Sequence, residues 1–264
     1  MELGDILERR RMVRSYLPDP IEREVVERIV ATVRRAPSGG FSQGHRLVVV
    51  TEPGTRMELA RLAGEDEYVA AGGQAWISTA PVHVFVGTRE ESYHERYRRP
   101  DKLREGEEIG WPAPYWYVDA GAAFMLLQLA AIDEGLASGV YGVLPEQVPT
   151  VKTLLGVPDD VHFVCLVTIG RPAPDPRETG LVSRMTQRRL PLDELVRWER
   201  FDAQPPSACP SIGPHRDGAE AQAGTARVAW CATILRLTRC KALSIVLQSH
   251  SSSSAIDSYE FPSR

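Results

Sequence analysis

The stretch "LERRRMVRSY", residues 7–16, gathers Arg9, Arg10, Arg11 and Arg14 near the start of a chain that is acidic overall, with 31 Lys+Arg against 35 Asp+Glu. A proline-containing turn, "LPDP", follows at once, and helical periodicity is interrupted across the cluster. One reading of such a cluster is a solvated helix face. The other is a phosphate clamp, because a guanidinium presents a planar fork of donors that matches phosphate oxygens. Arg10, Arg11, Met12 and Arg14 cover both sides of an extended or turning segment. Arg10 and Arg14 can then grip one phosphate while the backbone adds further donors.

Outward from this arm the chain reads as one α+β unit over residues 1–201. A first helix is expected over Met1–Arg10. A second, "PIEREVVERIVATVRRA", places Ile21, Val25, Val26, Ile29, Val30 and Val33 at helical spacing. "RLVVVTE" is a β-branched strand, "PGTRMELARLAG" a short helix closed by Gly64, and "PVHVFVG" a second strand. "YVDAGAAFMLLQLAAIDEGL" is a long helix, apolar nearly all round and so expected to be core or dimer interface, with Asp119 as a candidate cap and Gly121 as a packing position. "ASGVYG" reads as strand then turn, and "PEQVPTVKTLLG" as one helix with Pro145 in its first turn. "VHFVCLVTIGRP" is a third strong strand, expected to be buried throughout and ending at Gly170.

Between Arg89 and Tyr117 lies "REESYHERYRRPDKLREGEEIGWPAPYWY", too long for a simple connection. Its aromatic residues favour a lid or a short helix over disorder. After Phe201 the composition shifts to Pro, Gly, Ala and Ser, and residues 202–264 are expected to form a low-complexity, mostly disordered tail. That tail carries six basic and five acidic residues, so the net negative charge belongs to residues 1–201.

Several function classes find no support. An acidic chain has no broad basic face for nucleic acid. No apolar run reaches the roughly 18–20 residues of a bilayer span, and the early Glu2 and Asp5 do not suit a signal peptide, so a cytoplasmic protein without a membrane or nucleic-acid partner is expected. The four cysteines, Cys165, Cys209, Cys231 and Cys240, show no C-x-x-C spacing, and no metal site is expected. Cys165 reads as an inert buried thiol. His83 and His162, alone on strands, read as structural rather than catalytic. No Ser–His–Asp or paired-carboxylate arrangement can be nominated, so no catalytic residue is named.

The segment "APSGGFSQGHRLVVV", Ala36–Val50, is either a helix end with two glycines or a loop in which Gly39 and Gly40 let backbone lie against a flat ligand. It is not a P-loop, lacking Gly-Lys-Ser/Thr, and its glycines follow a helix and precede a strand, the reverse of a dinucleotide fingerprint. Together, "RRMVRSY" (Arg10–Tyr16) and "PSGGFSQGH" (Pro37–His45) resemble the paired signature of the nitroreductase family of FMN flavoproteins, R-R-S-x-R-x-[FY] followed by P-S-x-x-N-x-Q-P-W entering a strand. The long apolar helix, the "YGV" turn, the strand ending "IGRP" and the basic "QRRLPLDELV" follow in the family's order, so the resemblance covers roughly residues 1–200. Met12 stands where the family carries Ser, Phe41 where it carries Asn, and Gly44-His45 where it carries Pro-Trp.

The resemblance implies a three-layer α/β/α sandwich around a mostly antiparallel sheet, in a homodimer with two FMN sites at the interface. It implies that Arg10, Arg11, Met12 and Arg14 hold the phosphate and ribityl end. Pro37, Ser38, Gly39 and Phe41 would reach the flavin from the partner subunit. Tyr141, Gly142 and Val143 would lie along the ring, and Arg188 or Arg189 would return to the phosphate. The implied activity takes hydride from NAD(P)H and reduces a small aromatic acceptor, nitroaromatic or quinone, by a ping-pong mechanism. Phe41, Trp111, Tyr115 and Trp116 are the candidate substrate contacts. Two other readings stay open: a flavin protein with other chemistry (dehalogenation or dehydrogenation) or little turnover, and a dimeric scaffold without cofactor.

Overall fold

The computed structural model describes residues 1–173 and 189–202; Arg188, the tail from 203 onward and its three cysteines lie outside the described residues. The chain divides into two units, Met1–Arg188 and Arg189–Arg264. The described part of the second unit holds one short helix, Leu192–Leu195, and an ion pair between Arg200 and Asp202.

Four strands carry the first unit: β1 (His45–Val50), β2 (Val82–Thr88), β3 (Ala137–Tyr141) and β4 (His162–Gly170). They pair antiparallel throughout, in the order β1-β2-β4-β3. All seven residues of β2 are buried, because helices cover both faces of the sheet. Its side chains alternate as the pleat requires. Val82, Val84 and Val86 join one core with Ile29, Ala123, Leu127 and Val167, while Phe85 joins the other with Leu59, Val151 and Leu166.

The first core is covered by α2 (Arg23–Ala31) and α6 (Tyr115–Asp133), the second by α3 (Pro53–Leu62), α4 (Glu65–Ala70) and α7 (Val148–Leu154), while α1 (Leu3–Arg9) packs beside α6 and α5 (Glu91–Tyr97) follows β2. The three-layer α+β arrangement expected from the sequence is therefore present. On α6, Ala120, Ala123, Leu127 and Ala131 are completely buried at helical spacing. Burying a Leu such as Leu127 contributes about 1.5–3 kcal/mol. The opposite face, including Val118 at 59% and Met125 at 37% exposure, remains apolar and open. By length and composition α6 would pass for a membrane span, which corrects the expectation that no run is long enough; its buried stripe is that of a core helix.

Three local expectations need correction. Residues 145–155 do not form one helix: Pro145–Gln147 is a separate 3₁₀ turn and α7 begins at Val148. A single helix would place Pro149 in its interior, where it has no N–H to give; starting at Val148 puts that proline in the first turn, where none is needed. Asp119 does not cap its helix, which begins a turn earlier at Tyr115. Strand β4 is fully buried only from Cys165 onward, its first three residues being half-exposed. Burial pushes the Cys165 thiol up to about 12, as expected of an inert core cysteine.

Candidate functional site

The arginine arm is held by its backbone and its buried residues, which leaves its charges outside. Val13 donates its N–H to the Ser138 carbonyl at 3.0 Å, and Leu17 and Ala173 tie the next residues to the continuation of β4. Tyr16 is buried, and its hydroxyl lies 2.8 Å from both the Val13 carbonyl and Thr168 Oγ1. Gly139 permits this approach: a Cβ there would lie 2.5 Å from the Val13 carbonyl oxygen. Arg10 and Arg14 are half-buried, Arg11 and Met12 exposed. Among the described residues no carboxylate pairs with Arg10, Arg11 or Arg14, whereas Arg23, Arg28, Arg61, Arg89, Arg96 and Arg98 all have one.

Beside the arm, a cleft of about 230 Å³ is lined by Arg14, Glu65, Tyr68, Trp76, Tyr141 and Gly142, among others. The Arg14 guanidinium lies over the Trp76 ring, 5.5 Å from its centroid. Trp76 meets Tyr141 edge-on at 6.0 Å. The Tyr141 hydroxyl turns inward, 2.9 Å from His83 Nδ1, so what this strand end offers the cleft is ring and backbone rather than the phenol. A Cβ at Gly142 would meet nothing within 4 Å, which leaves the backbone there open to a flat ligand. Glu65, buried at the start of α4, accepts the N–H groups of Trp76, Ile77 and Ser78 at 2.7, 2.5 and 3.1 Å and so fixes the wall opposite.

Glu65, Tyr68 and Trp76 escape the sequence reading. Glu65 sits in "GEDEY" among three acids of a helix start, and only the fold selects the buried one. The tryptophan in "GGQAWISTAP", set between glycines and a proline, was the available signal.

A second polar cluster lies at the opposite edge of the sheet, before β1. Gly39 N–H and the Tyr93 hydroxyl both donate to Asp119 Oδ2, at 2.9 and 2.7 Å. Burial first, then the Asp119 carboxylate, pushes the Tyr93 phenol well above its ordinary range. Ser38 Oγ accepts the Gln43 N–H at 3.0 Å, and Arg96 Nε donates to the Gly40 carbonyl at 2.9 Å. Gly40 has φ +58°, and a Cβ there would lie 2.7 Å from the Tyr97 ring. Phe41 adopts φ +61° and is 73% exposed.

The segment after β2 packs on this loop. Trp111 stands 4.6 Å from Tyr97 and 6.0 Å from Trp116 by ring centroids. Trp116 is buried, Trp111 half-buried and Tyr115 exposed. His94 Nδ1 lies 2.5 Å from Glu108 Oε1, which also accepts Trp111 Nε1–H at 2.9 Å. Burial pulls the His94 imidazole down, but hydrogen bonds to Glu108 and Glu90 outweigh it and hold it above its ordinary value.

Thus the fold brings Arg14, Tyr141 and Gly142 into one cleft, with Arg10–Met12 and Val143 flanking it in the chain. It places Pro37, Ser38, Gly39 and Phe41, with Trp111, Tyr115 and Trp116, at the other edge of the same sheet. Arg189 belongs to the second unit, and Arg188 lies outside the described residues.

Comparison with known proteins places the chain in a family. The model of a family described as "Nitroreductase family" matches residues 7–171. An NADH dehydrogenase of Thermus thermophilus is 29% identical over 212 residues, which are 72% of this chain and 92% of the relative. A 5,6-dimethylbenzimidazole synthase of Rhodobacter capsulatus is 30% identical, over 75% of this chain and 95% of its own. Among solved structures, an NADPH:FMN oxidoreductase from Vibrio harveyi complexed with NAD⁺ shares the fold with a TM-score of 0.56 at 21% identity, covering 76% of this chain and 79% of that one.

Proposed function

Because the chain belongs to the nitroreductase family, we propose that it passes hydride from NAD(P)H to a small aromatic acceptor, a nitroaromatic or a quinone, with reductant and acceptor taking turns in one site. At the coarser level it is an NAD(P)H-dependent flavin oxidoreductase with FMN as its cofactor. The observation that carries the reading is the cleft in which Arg14, Tyr141 and Gly142 meet although they lie far apart in the sequence. Its residues suit FMN: cations without carboxylate partners among the described residues, aromatic walls, and open backbone at a glycine.

When bound, FMN supplies the hydride chemistry, and the protein supplies binding, orientation and electrostatics. In this reading Arg10, Arg11 and Arg14 bind the phosphate, with Met12 contributing backbone. Tyr141, Gly142 and Val143 bound the ring. Pro37, Ser38 and Gly39, held by Asp119 at the other sheet edge, complete the site of a second copy, so the working form is a homodimer. Phe41, Trp111 and Tyr115 shape the acceptor pocket, and the buried Trp116 supports them from beneath. The exposed apolar face of α6 suits the dimer contact.

A second reading keeps the flavin and changes the acceptor chemistry. It draws on the Rhodobacter relative and on Phe41, an apolar ring where the family motif carries an amide. The test is anaerobic reduction of the purified full chain by NADH and by NADPH, followed by nitroaromatic and quinone acceptors. Bleaching of the bound flavin followed by reoxidation with these acceptors is expected. Bleaching without such reoxidation supports the second reading. Protein that is folded, colourless and indifferent to added FMN overturns both.

A further inference from the structure

We propose that His83 is a positioning residue of the flavin site, tying the strand end Tyr141–Val143 to the wall that carries Arg14; the inference rests on the FMN reading above. His83 lies on β2 and is completely buried. Its Nε2 stands 2.8 Å from the Ile77 carbonyl oxygen. A carbonyl only accepts, so Nε2 carries the hydrogen and Nδ1 is left as an acceptor. The Tyr141 hydroxyl, 2.9 Å away, then donates to Nδ1. The two neighbours between them select one neutral tautomer. Burial acts in the same direction, pushing the imidazole down to about 4.

Both partners of the ring line the cleft. Tyr141 meets His83 edge-on at 5.7 Å and Trp76 edge-on at 6.0 Å, and Trp76 carries the Arg14 guanidinium. From the far side Glu65 holds the N–H groups of Trp76, Ile77 and Ser78. The 76–78 wall is therefore pinned through its N–H groups by Glu65 and through the Ile77 carbonyl by His83. The same imidazole pins the end of β3. A residue that merely fills the core has no need to present its two ring nitrogens to two walls of one cleft. The consequence is that the spacing between the ring-facing backbone and the phosphate-facing arm is set from beneath the cleft, by a side chain that touches no ligand.

The experiment uses the full chain and four variants: His83→Leu, Tyr141→Phe, the double variant, and His83→Gln, whose amide offers an acceptor and donors. FMN affinity is measured by flavin fluorescence, the environment of the bound flavin by visible circular dichroism, and the fold by far-ultraviolet circular dichroism. Tyr141→Phe is expected to weaken FMN about tenfold, the scale of one lost buried hydrogen bond, and His83→Leu, which loses the Ile77 link as well, at least as much; both are expected to alter the flavin's visible dichroism. The double variant is expected to bind no more weakly than His83→Leu alone, since Tyr141→Phe removes a link that His83→Leu has already broken. His83→Gln is expected to recover most of the affinity. Folded variants that bind FMN like the wild type with its dichroism unchanged, or losses that multiply in the double variant, overturn the role of His83. Should His83→Leu not fold, Tyr141→Phe and His83→Gln decide in the same way. Folded wild-type chain that takes up no FMN overturns the functional reading itself, which separates that failure from a failure of His83 alone.

Discussion

The two edges of the sheet solve opposite problems. At the β3 edge the arginine arm is fastened by backbone pairing and by buried Val13 and Tyr16, while its guanidinium groups find no carboxylate among the described residues. At the β1 edge the loop 37–43 and the segment after β2 are fastened by side chains that satisfy one another: Asp119 with Gly39 and Tyr93, Glu108 with His94, Arg98 and Trp111. An edge whose charges are already matched supports structure. An edge whose charges are held out, unmatched, on a rigid backbone is suited to a ligand. Removing a group that satisfies its neighbours at the β1 edge should therefore cost stability first, and removing an unmatched cation at the β3 edge should cost cofactor affinity with little loss of stability.

The largest effect is expected at Asp119. Asp119→Ala leaves the Gly39 N–H and the Tyr93 hydroxyl without their acceptor in a buried setting, at a cost of about 1–3 kcal/mol for each stranded donor. Urea unfolding of the full chain should show a loss of about 2–6 kcal/mol. Arg14→Ala should behave in the converse way. Losing a charge-assisted hydrogen bond to phosphate weakens FMN by about 1.5–3 kcal/mol, or roughly tenfold to a hundredfold. The unfolding midpoint of the cofactor-free chain should move little, because only the stacking on Trp76 is lost. If Arg14→Ala destabilised the fold as much as Asp119→Ala does, the contrast between the edges would collapse.

How much of this was legible in the sequence follows from what each feature depends on. The arm, the Pro37–Phe41 loop and the Tyr141–Val143 turn are local patterns, and the strands β1 and β2 announce themselves by β-branched runs. The helical breaks were harder. A reading anchored on Pro145 merges two elements, because Pro149 belongs to the first turn of the second. The roles of Glu65, Trp76 and His83 are hidden for a different reason. Their importance lies in partners distant in sequence, Glu65 against the 76–78 amides and His83 against Tyr141, and no spacing rule relates such positions. Asp119 looked like a cap because the helix was expected to begin near it. The four residues that precede it in α6 move it into the second turn, where it faces the loop instead.

A smaller effect separates the edges by pH. His94 is held above its ordinary value in the folded chain, so its ion pair with Glu108 contributes fully below about pH 6.5, the unfolded value. The contribution is lost as pH rises through the folded value. The pair is partly exposed and screened, so about 0.5–1 kcal/mol is expected. His94→Gln should therefore lower the unfolding midpoint most near pH 6 and least near pH 9. A difference that grew with pH would assign the stabilisation to some other group.

The smallest effect concerns Phe41, where the chain departs from the family motif. Its φ of +61° lies in the left-handed region, which disfavours a bulky side chain and which Asn tolerates better. The ring is 73% exposed, so little packing is lost on removing it. Phe41→Asn should thus raise stability slightly, by about 0.5 kcal/mol, although it restores no contact within the chain. A ring kept in an unfavourable backbone conformation without packing reward fits the acceptor-pocket role proposed above. The same variant should then change acceptor preference in steady-state assays. An unchanged preference would return Phe41 to the scaffold side of the comparison, together with the satisfied groups around Asp119.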